Sequence, residues 1–216
     1  MIFIEGLPCA GKSLLIDALH MRGESVCLEL GKIFKRNEFP GNGRTPEEVG
    51  YINHWFIDKE HERMRCNISS FFDRSYFTHF CYAYAYSQLT SLDTFESTMK
   101  MYEEKISSGV LPKPKYIVYV DVDSEISILR QNKKISDLVS CGLPPFWRDK
   151  KFLDDTRYAY KQLFSSISGI PILTIDAEIS TEEKVNELQF WMLNTPINDR
   201  SVIDFDAFIR KIKIGA

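Results

Sequence analysis

Gly6-Leu7-Pro8-Cys9-Ala10-Gly11-Lys12-Ser13 follows directly on Ile2-Phe3-Ile4-Glu5. The octet matches the pattern G-x-x-x-x-G-K-[ST], and its surroundings decide the fold. The apolar run Ile2-Phe3-Ile4 broken at Gly6 reads as a buried strand entering a loop. From Lys12 to about Arg22, Leu14, Leu15, Ala18, Leu19 and Met21 keep helical spacing, with Gly23 at the expected cap. Strand, glycine loop and helix in that order turn several backbone N–H groups toward one phosphate, and the helix N-terminus adds its positive end. Lys12 reaches the β and γ phosphates, and the Ser13 hydroxyl is placed to ligate Mg²⁺. With average residue frequencies the pattern arises by chance in about 1% of chains of this length, and the strand-to-helix context narrows it further. Gly6, Pro8, Cys9, Ala10, Gly11, Lys12, Ser13 and Leu14 are therefore expected to contact a nucleoside triphosphate, ATP, with Mg²⁺.

Outward from this loop the chain alternates strand and helix. Ser25 to Leu30 reads as a second strand, and residues 31–44, with three glycines and a proline, as a loop. Thr45-Pro46-Glu47-Glu48 opens a helix to about Cys66, with Thr45 as N-cap, Glu48 three residues on and Pro46 at the first helical position. Ile68 to Phe72 is a third strand, ending at Asp73-Arg74-Ser75, and helices follow near 75–88 and 92–107. Tyr116 to Val120 is continuous and β-rich, a fully buried strand. A helix near 124–131 leads into a polar, basic stretch, 132–151, interrupted by Gly142-Leu143-Pro144-Pro145. A helix near 151–166, a fifth strand at Ile170 to Ile175 and a second capping box, Ser180 to Glu183, bring the pattern to about Leu193. A tail, 194–216, carries a short amphipathic helix near 203–212. Five strands separated by helices predict an α/β domain with a parallel sheet covered on both faces.

Composition excludes other classes. The 216 residues carry 27 Lys plus Arg against 30 Asp plus Glu, a net charge of −3, with 44% hydrophobic residues. Disorder, collagen-like repeats and a disulfide scaffold do not fit these numbers. A long nucleic acid is a poor partner for a chain without a basic stripe. No apolar run approaches the roughly 20 residues that span a bilayer, and the first residues lack the features of a signal peptide. Five cysteines occur without Cys-x-x-Cys spacing, which fits a reduced, cytoplasmic setting and no membrane partner. His54, His61 and His79 have no metal spacing, so no zinc site is expected.

Two strand ends bear on the fate of the phosphate. A motor or switch ATPase shows an apolar strand ending Asp-Glu, but Phe71-Phe72-Asp73-Arg74 and Val120-Asp121-Val122-Asp123 both lack it. Asn132-Lys133-Lys134-Ile135 departs from the Asn-Lys-x-Asp of GTPase base recognition. Transfer to an acceptor is favoured over hydrolysis.

Asp73-Arg74-Ser75 at a strand end resembles the thymidylate kinase and deoxynucleoside kinase group, being intermediate between the D-R-[YWH] of the first and the E-R-S of the second. Phe3-Ile4-Glu5-Gly6 leading into Ala10-Gly11-Lys12-Ser13 is similar to that group's opening, and Tyr119 through Glu125 to its fourth strand and turn. Phe152-Leu153 through Tyr158-Ala159-Tyr160 and Ile175-Asp176-Ala177 extend the resemblance over most of residues 1–193. It implies a three-layer P-loop kinase fold with a five-stranded parallel sheet, helices on both faces and a lid at about 132–150, the tail 194–216 lying outside it.

The resemblance implies roles. Arg74 would contact the acceptor's phosphate or 5′ oxygen, and Asp73 would position Mg²⁺ water or the acceptor, so Ser13 and Asp73 are the expected metal residues. Glu29 would be the base on a 5′-hydroxyl, although Leu30-Gly31 replaces the usual proline after it. Lid cations would come from Arg130, Lys133, Lys134 and Arg148, with Arg130 and Arg148 preferred because they flank the glycine-proline hinge. Phe34, Trp55, Phe56 and Tyr82 are the rings to expect beside a base; Tyr76, Phe77, Phe80, Tyr84 and Tyr86 read as core or groove lining. Cys9, at a helix N-terminus near Lys12, is expected to have a lowered pKa and a thiol open to oxidation. The implied activity is γ-phosphoryl transfer from ATP to a nucleoside monophosphate. A deoxynucleoside kinase or other small-molecule hydroxyl kinase stands as the first alternative, and an ATP-binding regulatory module as the second. A homodimer is the assembly that the resemblance implies.

Overall fold

Alternate residues of the central strands point into two different cores, which is the period-two geometry of a strand covered on both sides. In the computed structural model, which describes residues 1–67, 70–137, 145–198 and 200–214, β1 (Ile2–Glu5) turns Ile2 and Ile4 to one face and Phe3 to the other. The chain continues through α1 (Lys12–Met21), β2 (Val26–Cys27), α2 (Leu30–Ile33), a 3-10 turn (Arg36–Glu38) and α3 (Pro46–Arg65). Next come β3 (Phe71–Asp73), α4 (Tyr76–Thr90), α5 (Phe95–Ser107), β4 (Tyr116–Asp121) and α6 (Ser124–Asp137). A 3-10 turn (Pro145–Arg148), α7 (Lys150–Phe164), β5 (Ile167–Ser168), β6 (Ile172–Asp176), α8 (Thr181–Asn194), β7 (Val202–Ile203) and α9 (Phe205–Ile214) complete it.

The main sheet has five strands in the order β2-β3-β1-β4-β6, all parallel. Phe3, Phe72, Ile117 and Tyr119 share a core with α3, α4, α5, α7 and α9. Ile2, Ile4, Phe71, Tyr116, Val118 and Val120 share the other with α1 and α8. The expected α/β architecture with a five-stranded parallel sheet is thus observed. Both expected N-caps accept a backbone N–H: Thr45 from Glu48, and Ser180 from Glu183 in a complete capping box. Glu48 returns its bond to the Arg44 N–H instead of to Thr45, so the first box is only half formed.

Three expectations change. The second strand covers only Val26–Cys27, because this edge strand pairs with short β3 alone and Glu29 then caps α2. The third strand runs through Asp73, with Ile68 outside the described residues. Helix α6 extends to Asp137, so the basic stretch begins as helix; Gln131 braces it by donating to the Trp147 carbonyl at 2.8 Å. Its polarity marked exposure and not a loop, since lysine and glutamine are good helix formers. Residues 138–144, the centre of the expected lid with most of its hinge, lie outside the described residues.

The last segment adds an element that alternation alone did not show: β7 pairs antiparallel with β5. Gly169, with φ +76°, lets the Arg200 backbone approach so closely that a side chain there would collide with its carbonyl. Phe205, Phe208, Ile209 and Ile212 of α9 then pack into the core against Phe80 and Phe95.

Candidate active site

The phosphate loop crosses the end of β4 at contact distance. Gly6 has φ +145°, and any side chain there would run into the Val120 carbonyl. The Lys12 side chain folds over the loop, its Nζ donating to the carbonyls of Gly6 at 3.0 Å and Leu7 at 2.7 Å. Burial, helped by nearby Arg74, pushes the Lys12 ammonium down to about 7; an anion in the loop would favour the charged form. Ser127 Oγ donates to the Pro8 carbonyl at 2.7 Å, and Arg130 reaches the carbonyls of Cys9 and Ala177, both at 3.4 Å. Cys9 itself departs from expectation. Burial pushes its thiol up, and Lys134, Lys12, Arg74 and Arg130 do not reverse this, so it is not an activated thiolate.

Beside the loop, β3 ends in Asp73 and Arg74. Ser13 Oγ donates to Asp73 Oδ2 at 3.1 Å. Lys32 Nζ, from α2, reaches the same two atoms, at 2.6 Å from Ser13 Oγ and 2.7 Å from Asp73 Oδ2. Asp73 Oδ1 is buried without a hydrogen-bond partner among the described residues. Burial raises the Asp73 pKa, but Lys12, Lys32 and Arg74 outweigh it and hold the carboxyl below its usual range. An ionised carboxylate with an orphaned oxygen, a serine hydroxyl and a cation already between them suit Mg²⁺, which takes one or two carboxylates plus substrate phosphates. No group of three or more His, Cys, Asp and Glu placed to hold a metal ion occurs among the described residues.

Arg74 carries a left-handed backbone, φ 64°, a strained state for a residue with a side chain. Arg63 over-determines it by donating to the carbonyls of Leu28 at 2.8 Å, Asp73 at 3.3 Å and Arg74 at 2.7 Å. The Arg74 guanidinium donates to Glu29 Oε2 at 2.8 Å and the Gly6 carbonyl at 3.1 Å, and lies 5.7 Å from the Tyr82 ring centre. Burial lowers its pKa, but Tyr82, Glu29, Tyr160 and Asp73 together raise it, so it stays charged.

From Glu29 and Arg74 a cavity of about 530 Å³ opens between α2, α3, α4 and the Phe146–Trp147 turn. Eight aromatic rings line it: Phe34, Phe39, Phe56, Tyr82, Tyr86, Phe146, Trp147 and Phe152. Asn53, Glu60, Arg63, Thr78 and His79 add polar atoms. The Tyr82 hydroxyl is buried without a partner among the described residues, and burial pushes its pKa up to about 12.

Two glutamates are enclosed by this frame. Glu5 accepts hydroxyl bonds from Ser75 at 2.5 Å, Thr78 at 2.7 Å and Tyr160 at 2.9 Å. Glu60 meets Arg63 at 2.7 Å and His79 at 3.1 Å.

The structure brings together Lys12, Ser13, Glu29, Asp73 and Arg74, with Phe34, Phe56 and Tyr82 on the adjoining wall. Trp55 is not among the cavity residues; it packs against Phe34, Phe39 and Phe56, each 5.1–5.7 Å between ring centres. Arg130 meets the phosphate loop at the Cys9 carbonyl. Arg148 is exposed on the 3-10 turn without a hydrogen bond or ion pair to a described residue, and the hinge between it and Arg130 lies mostly outside the described residues. Of the α4 rings, Tyr76, Phe77, Phe80 and Tyr84 are core. Sequence reasoning missed Lys32, Glu5, and the Glu60–Arg63–His79 group. Lys32 had a signal, since it lies three residues after Glu29 on one helical turn.

No family model and no curated protein matches the chain. Solved structures do share the fold. Deoxyadenosine kinase from M. mycoides with bound dCTP superposes with a TM-score of 0.63 at 16% identity, covering 90% of this chain and 100% of that one. The same enzyme with bound dATP gives 0.65 at 16% identity, covering 90% and 98%. At this identity the likeness establishes the fold, a P-loop kinase fold like that of a deoxynucleoside kinase.

Proposed function

We propose that the chain is an ATP-dependent, Mg²⁺-assisted kinase that phosphorylates the 5′-hydroxyl of a nucleoside. The observation that carries this reading is the Glu29–Arg74 pair, 2.8 Å apart, at the junction of the phosphate loop and the aromatic cavity. A nucleoside monophosphate would bring its phosphate against the Glu29 carboxylate, with the Arg74 guanidinium already engaged by it. A hydroxyl suits the same point, because a carboxylate accepts its proton. The geometry therefore favours the hydroxyl kinase over the monophosphate kinase that the sequence placed first. The fold shared with a deoxyadenosine kinase adds support.

Glu29 takes the proton of the acceptor hydroxyl as its oxygen attacks the γ-phosphorus and the bond to the ADP oxygen breaks. Arg74 holds Glu29 in orientation. Lys12 and the loop amides hold the phosphate oxygens as charge redistributes. Ser13 and Asp73 would hold Mg²⁺, which neutralises phosphate charge when bound. Phe34, Phe56 and Tyr82 offer flat faces to a base.

The test is ADP formation across a panel of nucleosides with and without a 5′-phosphate. Nucleosides should stimulate turnover, and Glu29→Gln should lower kcat by about 10²–10⁴-fold with the KM for ATP unchanged. Preference for the 5′-monophosphates would overturn the reading.

A further inference from the structure

Two ion pairs tie the single turn α2 to the end of β3. Glu29 meets Arg74, and Lys32 meets Asp73 at 2.7 Å. Residues 29 and 32 share one face of the turn, and Asp73 and Arg74 are consecutive. The Lys32–Asp73 pair does more than anchor α2, because its ammonium also contacts Ser13 Oγ at 2.6 Å. A serine hydroxyl has one proton and two lone pairs. Here the proton goes to Asp73, and the Lys32 ammonium takes a lone pair that a metal would use.

We propose that Lys32 occupies the metal position when the triphosphate is absent, and that Mg²⁺ enters only by displacing it. This rests on the reading of Ser13 and Asp73 as the metal residues. Magnesium–oxygen bonds are about 2.0–2.1 Å long, so an ion on Ser13 Oγ would lie against the ammonium, and like charges at contact exclude each other. Lys32 is able to leave: its side chain is 34% exposed, whereas Asp73 is 1% exposed and stays. Glu29–Arg74 keeps α2 attached at its other end after Lys32 has moved. A bare divalent ion finds its carboxylate already neutralised. A metal arriving with the triphosphate brings further oxygen ligands, so metal and nucleotide load together.

Mn²⁺ binding to the full chain, read from the electron paramagnetic resonance signal of the free ion, tests this with and without a non-hydrolysable ATP analogue. Without nucleotide, Lys32→Met should bind Mn²⁺ more tightly than the wild type, by about 5–150-fold, the usual range for coupled sites. Lys32→Arg, which keeps the cation, should stay close to the wild type. Equal affinity of Lys32→Met and the wild type would overturn the competition. With the analogue present, Asp73→Asn should weaken Mn²⁺ binding. If it does not, the metal reading fails and the proposal falls with it. If it does while Lys32→Met matches the wild type, only the competition falls.

Discussion

Glu5 and Glu60 are both enclosed, 0% and 1% exposed, yet their pKa values move in opposite directions. Glu5 has three hydroxyls around it. Burial raises its pKa, and neither Ser75, Thr78 and Tyr160 nor the charge of Arg74 cancels that. Glu60 has the guanidinium of Arg63 and the ring of His79. Burial again raises the pKa, but Arg63 and then His79 outweigh it and hold the carboxyl below its usual range. Equal burial thus leaves the outcome to the partners: neutral dipoles do not repay the desolvation of a charge, and a buried cation does. The two also serve different parts of the site. Glu5 fastens α4 and α7 to the end of β1, while Glu60 orients the Arg63 that fixes the Asp73 and Arg74 backbone.

The largest break in this comparison should come from Glu60→Gln. It leaves the Arg63 guanidinium, 3% exposed, without its counter-charge. Losing one partner of a buried pair costs about 3–5 kcal/mol. Urea unfolding should show that loss, and acceptor KM should rise as Arg74 loosens. A cost below about 1 kcal/mol, the level of an exposed pair, would mean that Arg63 finds water in the cavity.

Glu5→Ala should be the next in size. It removes the acceptor that three hydroxyls share. Thr78 and Tyr160 still bond each other at 2.8 Å and Ser75 still accepts from the Phe77 N–H, so the loss is that of one buried polar group left unpaired, about 1–3 kcal/mol. Thermal unfolding measures it. Glu5→Gln should cost less, since an amide keeps a carbonyl acceptor and the position already favours a neutral group. If Glu5→Gln proved as damaging as Glu5→Ala, the carboxylate charge itself would be holding the network.

These two residues also mark what sequence reasoning could reach. The phosphate loop was legible because its glycines, lysine and serine are forced by backbone geometry within eight consecutive residues. Strand positions were legible where apolar runs continue, as at Tyr116–Val120. Asp73 and Arg74 could be placed at a strand end, whereas Glu29 falls at the start of α2, and the Glu29–Arg74 pairing spans 45 residues of chain and needs the sheet order. Glu5 was visible in principle, as the next residue after Phe3 on the same face of β1. Glu60 sits between Ile57 and Met64 on the buried stripe of α3, where a charge at a core position signals a partner. That charge is explained only by its partners, Arg63 on the same helix and His79 on α4, and the second of these is brought in by the fold and not by local spacing.

The smallest effect, and the one that separates the two glutamates most directly, is the pH dependence of stability. Stability rises with pH wherever the unfolded chain binds more protons than the folded one. Glu60 has a lowered folded pKa, so its contribution is complete above the ordinary glutamate value of about 4.3. It is lost as pH falls through the lower folded value. Glu5 has a raised folded pKa, so the folded state holds its proton longer. Its penalty is absent below about 4.3 and grows as pH rises from there to the folded value, by at most about 1.4 kcal/mol per pH unit. Urea unfolding of the wild type, Glu5→Gln and Glu60→Gln between acid and neutral pH should therefore give difference curves of opposite slope. The wild type should lose ground to Glu5→Gln as pH rises above the glutamate range. It should lose its advantage over Glu60→Gln as pH falls below it. Parallel curves would show that the hydroxyls around Glu5 hold a carboxylate as firmly as the guanidinium beside Glu60, and that partner type does not decide the charge state here.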